Sequence, residues 1–187
     1  MIEHNGKLYT TVTEAIKFVS GLGHIPKEIL DKAGDRGTRT HSAITSKLKG
    51  LGDWGIDEDI QGYVTSADKI LPQIGKIYHI EERFFNDGLL LTGQVDLIAE
   101  YEGMPTLIDW KTSSKANDVT WCMQAAAYIK LTHYQGNDAL FVKLDRKGGD
   151  PELHFYSTEQ LEDAWQKFML CFEVHKLFFA NKNEEVI

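Results

Sequence analysis

Residues 92–114 read TGQVDLIAEYEGMPTLIDWKTSS. Two segments rich in apolar and β-branched residues flank Glu102-Gly103, a dipeptide suited to a tight reversal, so the stretch reads as a β-hairpin. A two-residue loop there pairs Tyr101 with Met104, and counting back sets Asp96 opposite Asp109. Directly opposed residues project from one face of a sheet, and Lys111, two residues further on, shares that face. The same count sends Val95, Leu97, Ile108 and Trp110 to the other face, as core. A two-residue shift of register would keep the three charged groups together, whereas a slip of one would separate them.

Two carboxylates held ~4–5 Å apart repel, and one has its pKa raised unless a cation intervenes. A divalent ion such as Mg²⁺ prefers hard oxygen ligands of this kind, and the lysine adds a positive charge and a proton donor. Carboxylates, metal and lysine together suit phosphodiester hydrolysis. Asp109-Trp110-Lys111 by itself also fits a surface hairpin with a cross-strand ion pair, which is worth little. Asp145-Arg146-Lys147 has a similar form at another strand end. It lacks an upstream Gly-x-x-Asp and runs into Gly148-Gly149, so it reads as a turn.

Outward from the hairpin, KIYHIEERFF (76–85) is a preceding strand and Asn86-Asp87-Gly88 a turn. VTWCMQAAAYIKLTHY (119–134) reads as a helix, ALFVKLDR (139–146) as a strand, and LHFYS (153–157) as its partner. From Thr158 to Asn181 the pattern is one long amphipathic helix, with Leu161, Trp165, Phe168 and Phe172 as its core stripe. Before the hairpin the chain reads as helical: 11–20, 27–33, 35–50 and about 58–71, the last ended or interrupted by Pro72. Thr38 can N-cap the third of these, which puts His41 in its first turn. The expectation is a single domain over 1–187, with a helical part at 1–75, a β-meander, helix and strands at 76–157, and a C-terminal helix at 158–187. The fold class is α/β, a mixed central sheet flanked by helices.

The chain has 187 residues and a formal net charge of −8, which argues against a protein that coats nucleic acid non-specifically. No apolar run is long enough to span a membrane. The start MIEHNGKLYT lacks the basic and apolar regions of a secretory signal, so a cytoplasmic location is expected. Cys122 and Cys171 lie in helical, apolar stretches without a CxxC partner, and read as buried free thiols.

Gly93-x-x-Asp96, then Leu107-Ile108-Asp109-Trp110-Lys111-Thr112-Ser113, then Gln124-x-x-x-Tyr128 resembles the PD-(D/E)XK nuclease superfamily, and within it the RecB-like exonuclease branch. Arg36-Gly37-Thr38-x-x-His41 is similar to that branch's helical histidine motif, and YTTVTEAIKF looks like the start of its phage and mitochondrial members. The motifs occur in family order over roughly residues 8–134.

The resemblance implies a restriction-endonuclease-like core and a DNA exonuclease using Mg²⁺ or Mn²⁺ on single strands or ends. It implies His41, Asp96, Asp109 and the backbone carbonyl of Trp110 as metal ligands. Lys111 would be the catalytic lysine. Gln124 and Tyr128, on one helical face, would support it or contact DNA, as would Arg36 and Thr38. Glu81 would help hold a metal, with Glu82 as a competing choice. The CRISPR-associated relatives typically carry four cysteines for an iron–sulfur cluster; two here, far apart, imply none. Without a helicase motif or phosphate loop, the chain would act alone or with a recombination, single-strand-binding or motor partner, in phage recombination, replication or repair. Trp54, Tyr63 and Trp121 are candidates for stacking on bases. A structure-specific or single-strand endonuclease, and a catalytically weak DNA-binding regulator, remain open as alternatives.

Overall fold

The computed structural model describes residues 1–52, 56–133 and 138–178. Trp54 lies outside these residues. Seven strands form one mixed sheet: β1 (Ile2–His4), β2 (Lys7–Thr11), β3 (Ile74–Asn86), β4 (Leu91–Tyr101), β5 (Met104–Lys111), β6 (Ala139–Lys143) and β7 (Glu152–Tyr156). The helices are α1 (Val12–Ala15), α2 (Lys27–Leu48), α3 (Glu58–Asp68), α4 (Asp118–Thr132) and α5 (Thr158–Phe178). One face of the sheet packs on α1, α4 and α5 through Val95, Leu107, Phe141, Tyr128 and Phe168. The other packs on α2 and α3 through Leu97, Ile108, Trp110, Ile44 and Tyr63. The result is three layers with a core on each side of the sheet. No helix among the described residues is long and apolar enough to cross a membrane.

The hairpin has the expected register. Glu102 and Gly103 have φ of 51° and 82°, a reversal with both central residues left-handed, and Tyr101 pairs with Met104. The pairs continue to Leu97–Ile108, one step short of Asp96 and Asp109.

Three expectations change. The N-terminal part is not purely helical, because Asn5 and Gly6, with φ of 50° and 72°, turn β1 back onto β2. Strand β2 then runs parallel to the start of β4, at Thr10–Leu91 and Thr11–Thr92. The stretches 27–33 and 35–50 form one 22-residue helix. Thr38 therefore caps nothing: it lies mid-helix, donating from Oγ1 to the carbonyl of Gly34 at 3.1 Å. His41 sits well inside α2 rather than in a first turn. Finally, Val95 and Leu97 are not on one face. Val95 packs with α4 and Leu97 with α2 and α3, although i and i+2 in a regular strand share a side. The alternation of β4 breaks at Asp96.

That break has a visible partner. The pairs Ile80–Leu97 and Glu82–Val95 bracket Glu81 against Asp96, and Glu81 has φ of 51°. A left-handed glutamate inside a strand is a strained backbone, worth on the order of 1–2 kcal/mol.

Candidate active site

Strand β4 shares one edge between two neighbours. Strand β5 covers residues 97–101 and β2 covers 91–92, both on the edge away from β3. Between them, at 93–96, β4 has no ladder partner on that edge among the described residues. Asp96 occupies this gap, and its Oδ2 accepts the Trp110 backbone N–H at 3.0 Å. The strands have parted, and a side chain satisfies the amide that a neighbouring strand would otherwise take.

Helix α2 crosses above. The His41 ring lies with Nε2 2.8 Å from the Trp110 carbonyl oxygen and Nδ1 3.2 Å from Asp96 Oδ2. Both nitrogens face acceptors, so both carry protons in this state. Burial pulls the His41 pKa down, but the charge and hydrogen bond of Asp96, with Asp109 behind, outweigh it and raise it to about 9. For Asp96, burial pushes upward, while His41, Lys111 and the Trp110 N–H together hold its carboxyl below the usual range.

Asp109 is 2% exposed. Burial first, then the charge of Asp96, lift its pKa to about 6 against the pull of Lys111. Its Oδ1 accepts from Gln124 Nε2 at 3.2 Å. Lys111 Nζ forms an ion pair with Oδ2 at 2.7 Å. Lys111 also donates to Gln124 Oε1 at 2.9 Å and lies 4.8 Å above the Phe141 ring. Gln124 also donates to the Tyr128 hydroxyl at 2.9 Å. Tyr128 is buried, and burial with two nearby carboxylates pushes its hydroxyl pKa well up, so it stays protonated. Gly93 makes room for it: a Cβ there would lie 2.6 Å from Tyr128 Cε1.

Glu81 accepts from Gln94 Nε2 at 2.7 Å and from Thr45 Oγ1 at 3.4 Å. It offers, with His41 and Asp96, a trio of ligand atoms all within 4.8 Å of one another. Glu82 is exposed and bonded to His79 at 2.6 Å, which leaves Glu81 as the acid facing the site. A cleft of about 370 Å³ opens over the trio, lined also by Thr38, Ser42, Thr45 and Gln94. Gln94 and Thr45 were not singled out from the sequence. Thr45 lies four residues after His41, on the same helical face. Gln94 lies opposite Arg83 across β3 and β4, and the Arg83 guanidinium donates to it at 2.9 Å.

The structure thus gathers His41, Glu81, Asp96, Asp109, Trp110, Lys111, Gln124 and Tyr128 at one place. Thr38 is on the rim. Arg36 stands one helical turn away, its guanidinium over the Tyr63 ring at 5.6 Å. Tyr63 and Trp121 are 5% and 6% exposed, so they are core rather than open stacking platforms. Cys122 and Cys171 are half-buried on α4 and α5.

A divalent cation suits this donor set. Two carboxylates and a backbone carbonyl supply hard oxygen ligands, and His41, once it gives up a proton, a borderline nitrogen ligand. The protonated His41 supplies the compensating positive charge here.

The model of the PD-(D/E)XK nuclease superfamily matches residues 60–171, more than half of the chain. The chain belongs to this superfamily. Its mixed sheet flanked by helices is accordingly a restriction-endonuclease-like fold. It is similar to mitochondrial genome maintenance exonuclease 1 from Xenopus tropicalis, at 30% identity over 75% of this chain and 44% of that protein. The Mus musculus protein of that name is also 30% identical, over 74% of this chain and 45% of the relative. The Homo sapiens protein is 27% identical, over 84% and 50%. The chain therefore spans about half the length of the curated relatives it matches. The crystal structure of SSO0001 superposes with a TM-score of 0.45 at 12% identity, over 91% of this chain and 78% of that one.

Proposed function

We propose that this nuclease is a Mg²⁺- or Mn²⁺-dependent deoxyribonuclease that hydrolyses single-stranded DNA from its ends. The observation that carries the reading is the convergence of buried Asp109, paired with Lys111 at 2.7 Å, and of Asp96 and His41 at a gap of the sheet. Asp96, Asp109, the Trp110 carbonyl and His41 would hold the cation, and Glu81 would help hold it. The ion would supply Lewis-acid charge to the phosphodiester and make water more acidic.

The chain's own groups do the rest. The Lys111 ammonium stabilises negative charge as it builds on the phosphorus oxygens, and orients the attacking water. Gln124 accepts from Lys111 and donates to Asp109, so it fixes both at once. Tyr128 locks Gln124 in that orientation and, being protonated, adds no charge. Asp109, Gln124 and Tyr128 are buried, which strengthens the interactions among them.

The exonuclease relatives support end-directed attack, and the phage-like start of the chain supports a setting in recombination, replication or repair within a host cytoplasm. The test compares linear single-stranded, linear duplex and circular single-stranded DNA with Mn²⁺ or EDTA, using wild type and Lys111→Ala. Metal-dependent loss of linear strands, circles spared, and a drop of at least about a hundredfold in the variant are expected. Cutting of circles would make the enzyme an endonuclease. No cutting by wild type would overturn the reading in favour of a DNA-binding regulator.

A further inference from the structure

We propose that Arg83 is a positioning residue for the metal site: through the side-chain amide of Gln94 it fixes the orientation of the Glu81 carboxylate. The role rests on the nuclease reading, which supplies the cation that Glu81 would help hold. Its support is the register of β3 against β4.

Arg83 and Gln94 are direct partners across the two strands. Opposed side chains project from one face at close range, and Arg83 Nη2 donates to Gln94 Oε1 at 2.9 Å. Glu81 is the diagonal neighbour of Gln94, a separation that long side chains span. Gln94 Nε2 donates to Glu81 Oε2 at 2.7 Å. The contacts thus run in one row, from arginine to amide to carboxylate. The row ends at the trio of His41, Glu81 and Asp96, and Gln94 lines the cleft above that trio.

Glu81 has need of such support. Its φ of 51° breaks the regular strand between the pairs Ile80–Leu97 and Glu82–Val95. On a regular strand the pleat decides which way a side chain points. Here hydrogen bonds take over that task. Gln94 holds one Glu81 oxygen from β4, and Thr45 Oγ1 holds the other from α2 at 3.4 Å. Each carboxylate oxygen has a second lone pair, so Glu81 can keep both donors and still offer itself to a cation.

Arg83 contributes order and polarity to the amide. Gln94 is exposed, and a long side chain gives up rotamer freedom only when something fixes it. A guanidinium is a donor without acceptors. Beside it the amide presents Oε1, and Nε2 is left for Glu81. Both neighbours therefore select the same one of the two amide orientations. Gln94 is the only polar partner of Arg83 among the described residues.

Two roles for Arg83 carry opposite signs. As a bare positive charge it would repel a divalent cation, and removing it would tighten cation binding. As the anchor of Gln94 and Glu81 it preorganises a ligand, and removing it loosens cation binding.

The test is isothermal titration of Mn²⁺ into metal-free wild type, Arg83→Met, Gln94→Met, Glu81→Ala and the double variant Glu81→Ala/Arg83→Met. Thermal melts in EDTA check that each is folded. Arg83→Met keeps the length of the stem but removes the donor and the charge; Gln94→Met breaks the row at its middle and leaves the charge in place. The expected result is about a tenfold loss of Mn²⁺ affinity in each of these two. No further loss is expected when Arg83→Met is added to Glu81→Ala, because effects routed through one residue do not add. Unchanged or tighter binding in Arg83→Met would overturn the proposal, as would a full additional loss in the Glu81→Ala background or a wild type that takes up no Mn²⁺. Cleavage of linear single-stranded DNA is scored separately. A protein whose Mn²⁺ affinities follow the expected pattern but which cuts nothing loses the nuclease reading and keeps the row. One that cuts, with unchanged Mn²⁺ affinity in Arg83→Met and Gln94→Met, does the reverse.

Discussion

Replacing Asp109 with Asn should stabilise the metal-free protein while destroying its activity. Asp109 is buried, pressed by Asp96, and its pKa is raised from 3.8 to about 6. That gap corresponds to about 3 kcal/mol against the ionised form in the folded state. An asparagine removes the charge and can still accept from Gln124 Nε2, but it gives up the ion pair with Lys111 at 2.7 Å. The net gain near neutral pH is about 1–3 kcal/mol, or a rise in Tm of roughly 3–10 °C for a chain of this size. The sign follows from proton binding. Between 3.8 and about 6 the folded protein holds a proton that the unfolded chain has lost, so wild-type stability falls as pH rises through this window. The variant lacks that fall. The two proteins should therefore melt alike below about pH 4 and differ fully above about pH 7. Mn²⁺ should raise the wild-type Tm and leave Asp109→Asn nearly unmoved, closing the gap. The assay is thermal melting across pH with EDTA or Mn²⁺. A variant less stable than wild type at neutral pH without metal would refute the reasoning, because the Lys111 pair would then outweigh the repulsion.

Gly93→Ala should cost about 1–3 kcal/mol by overpacking and should depress kcat by displacing Tyr128, since the new Cβ would lie 2.6 Å from Cε1; melting and single-turnover cleavage read the two effects. Thr38→Ala should leave stability unchanged or raise it by about 0.5 kcal/mol, as befits a mid-helix threonine. A loss of about 1 kcal/mol in denaturant unfolding would instead indicate a helix cap. Glu81→Ala should weaken Mn²⁺ binding in isothermal titration about tenfold or more, whereas Glu82→Ala, whose carboxylate is engaged by His79, should not.

The hairpin was legible because its turn is short. A two-residue reversal at Glu102 and Gly103 leaves one register, and arithmetic then carries Asp96 to Asp109. Gln124 and Tyr128 were legible through helical spacing, which needs no tertiary knowledge. Helix α2 was misread because Gly34 and Gly37 look like punctuation. The tertiary setting overrides them: Ile44 and Ala43 are buried on the sheet and on α3, and Arg39 ties the helix to Asp57 and Asp59. The Asn5-Gly6 turn is a local signal, since both residues are suited to the left-handed backbone the reversal requires. The parallel pairing of β2 with β4 was different, for no short-range pattern announces a partner some eighty residues away.

The break at Asp96 was the least legible feature, and it is the one that makes the site. GQVDL alternates well enough to pass for a regular strand. Had it remained regular, Asp96 would have faced α4 with Asp109, and His41 on the opposite layer could not have reached it. The shared edge of β4 changes this. The pairing with β5 ends at Ile108 and that with β2 begins only at Thr92, so among the described residues the stretch between them has no ladder partner on that side. Opposite, Glu81 takes the left-handed conformation and absorbs the twist. Asp96 can then turn into the gap, take the Trp110 N–H, and meet His41 from one layer while Asp109 reaches Gln124 in the other. The strain at Glu81 and the meeting of Asp96 with His41 are thus two consequences of one cause, a sheet left locally incomplete where side chains from both of its faces converge.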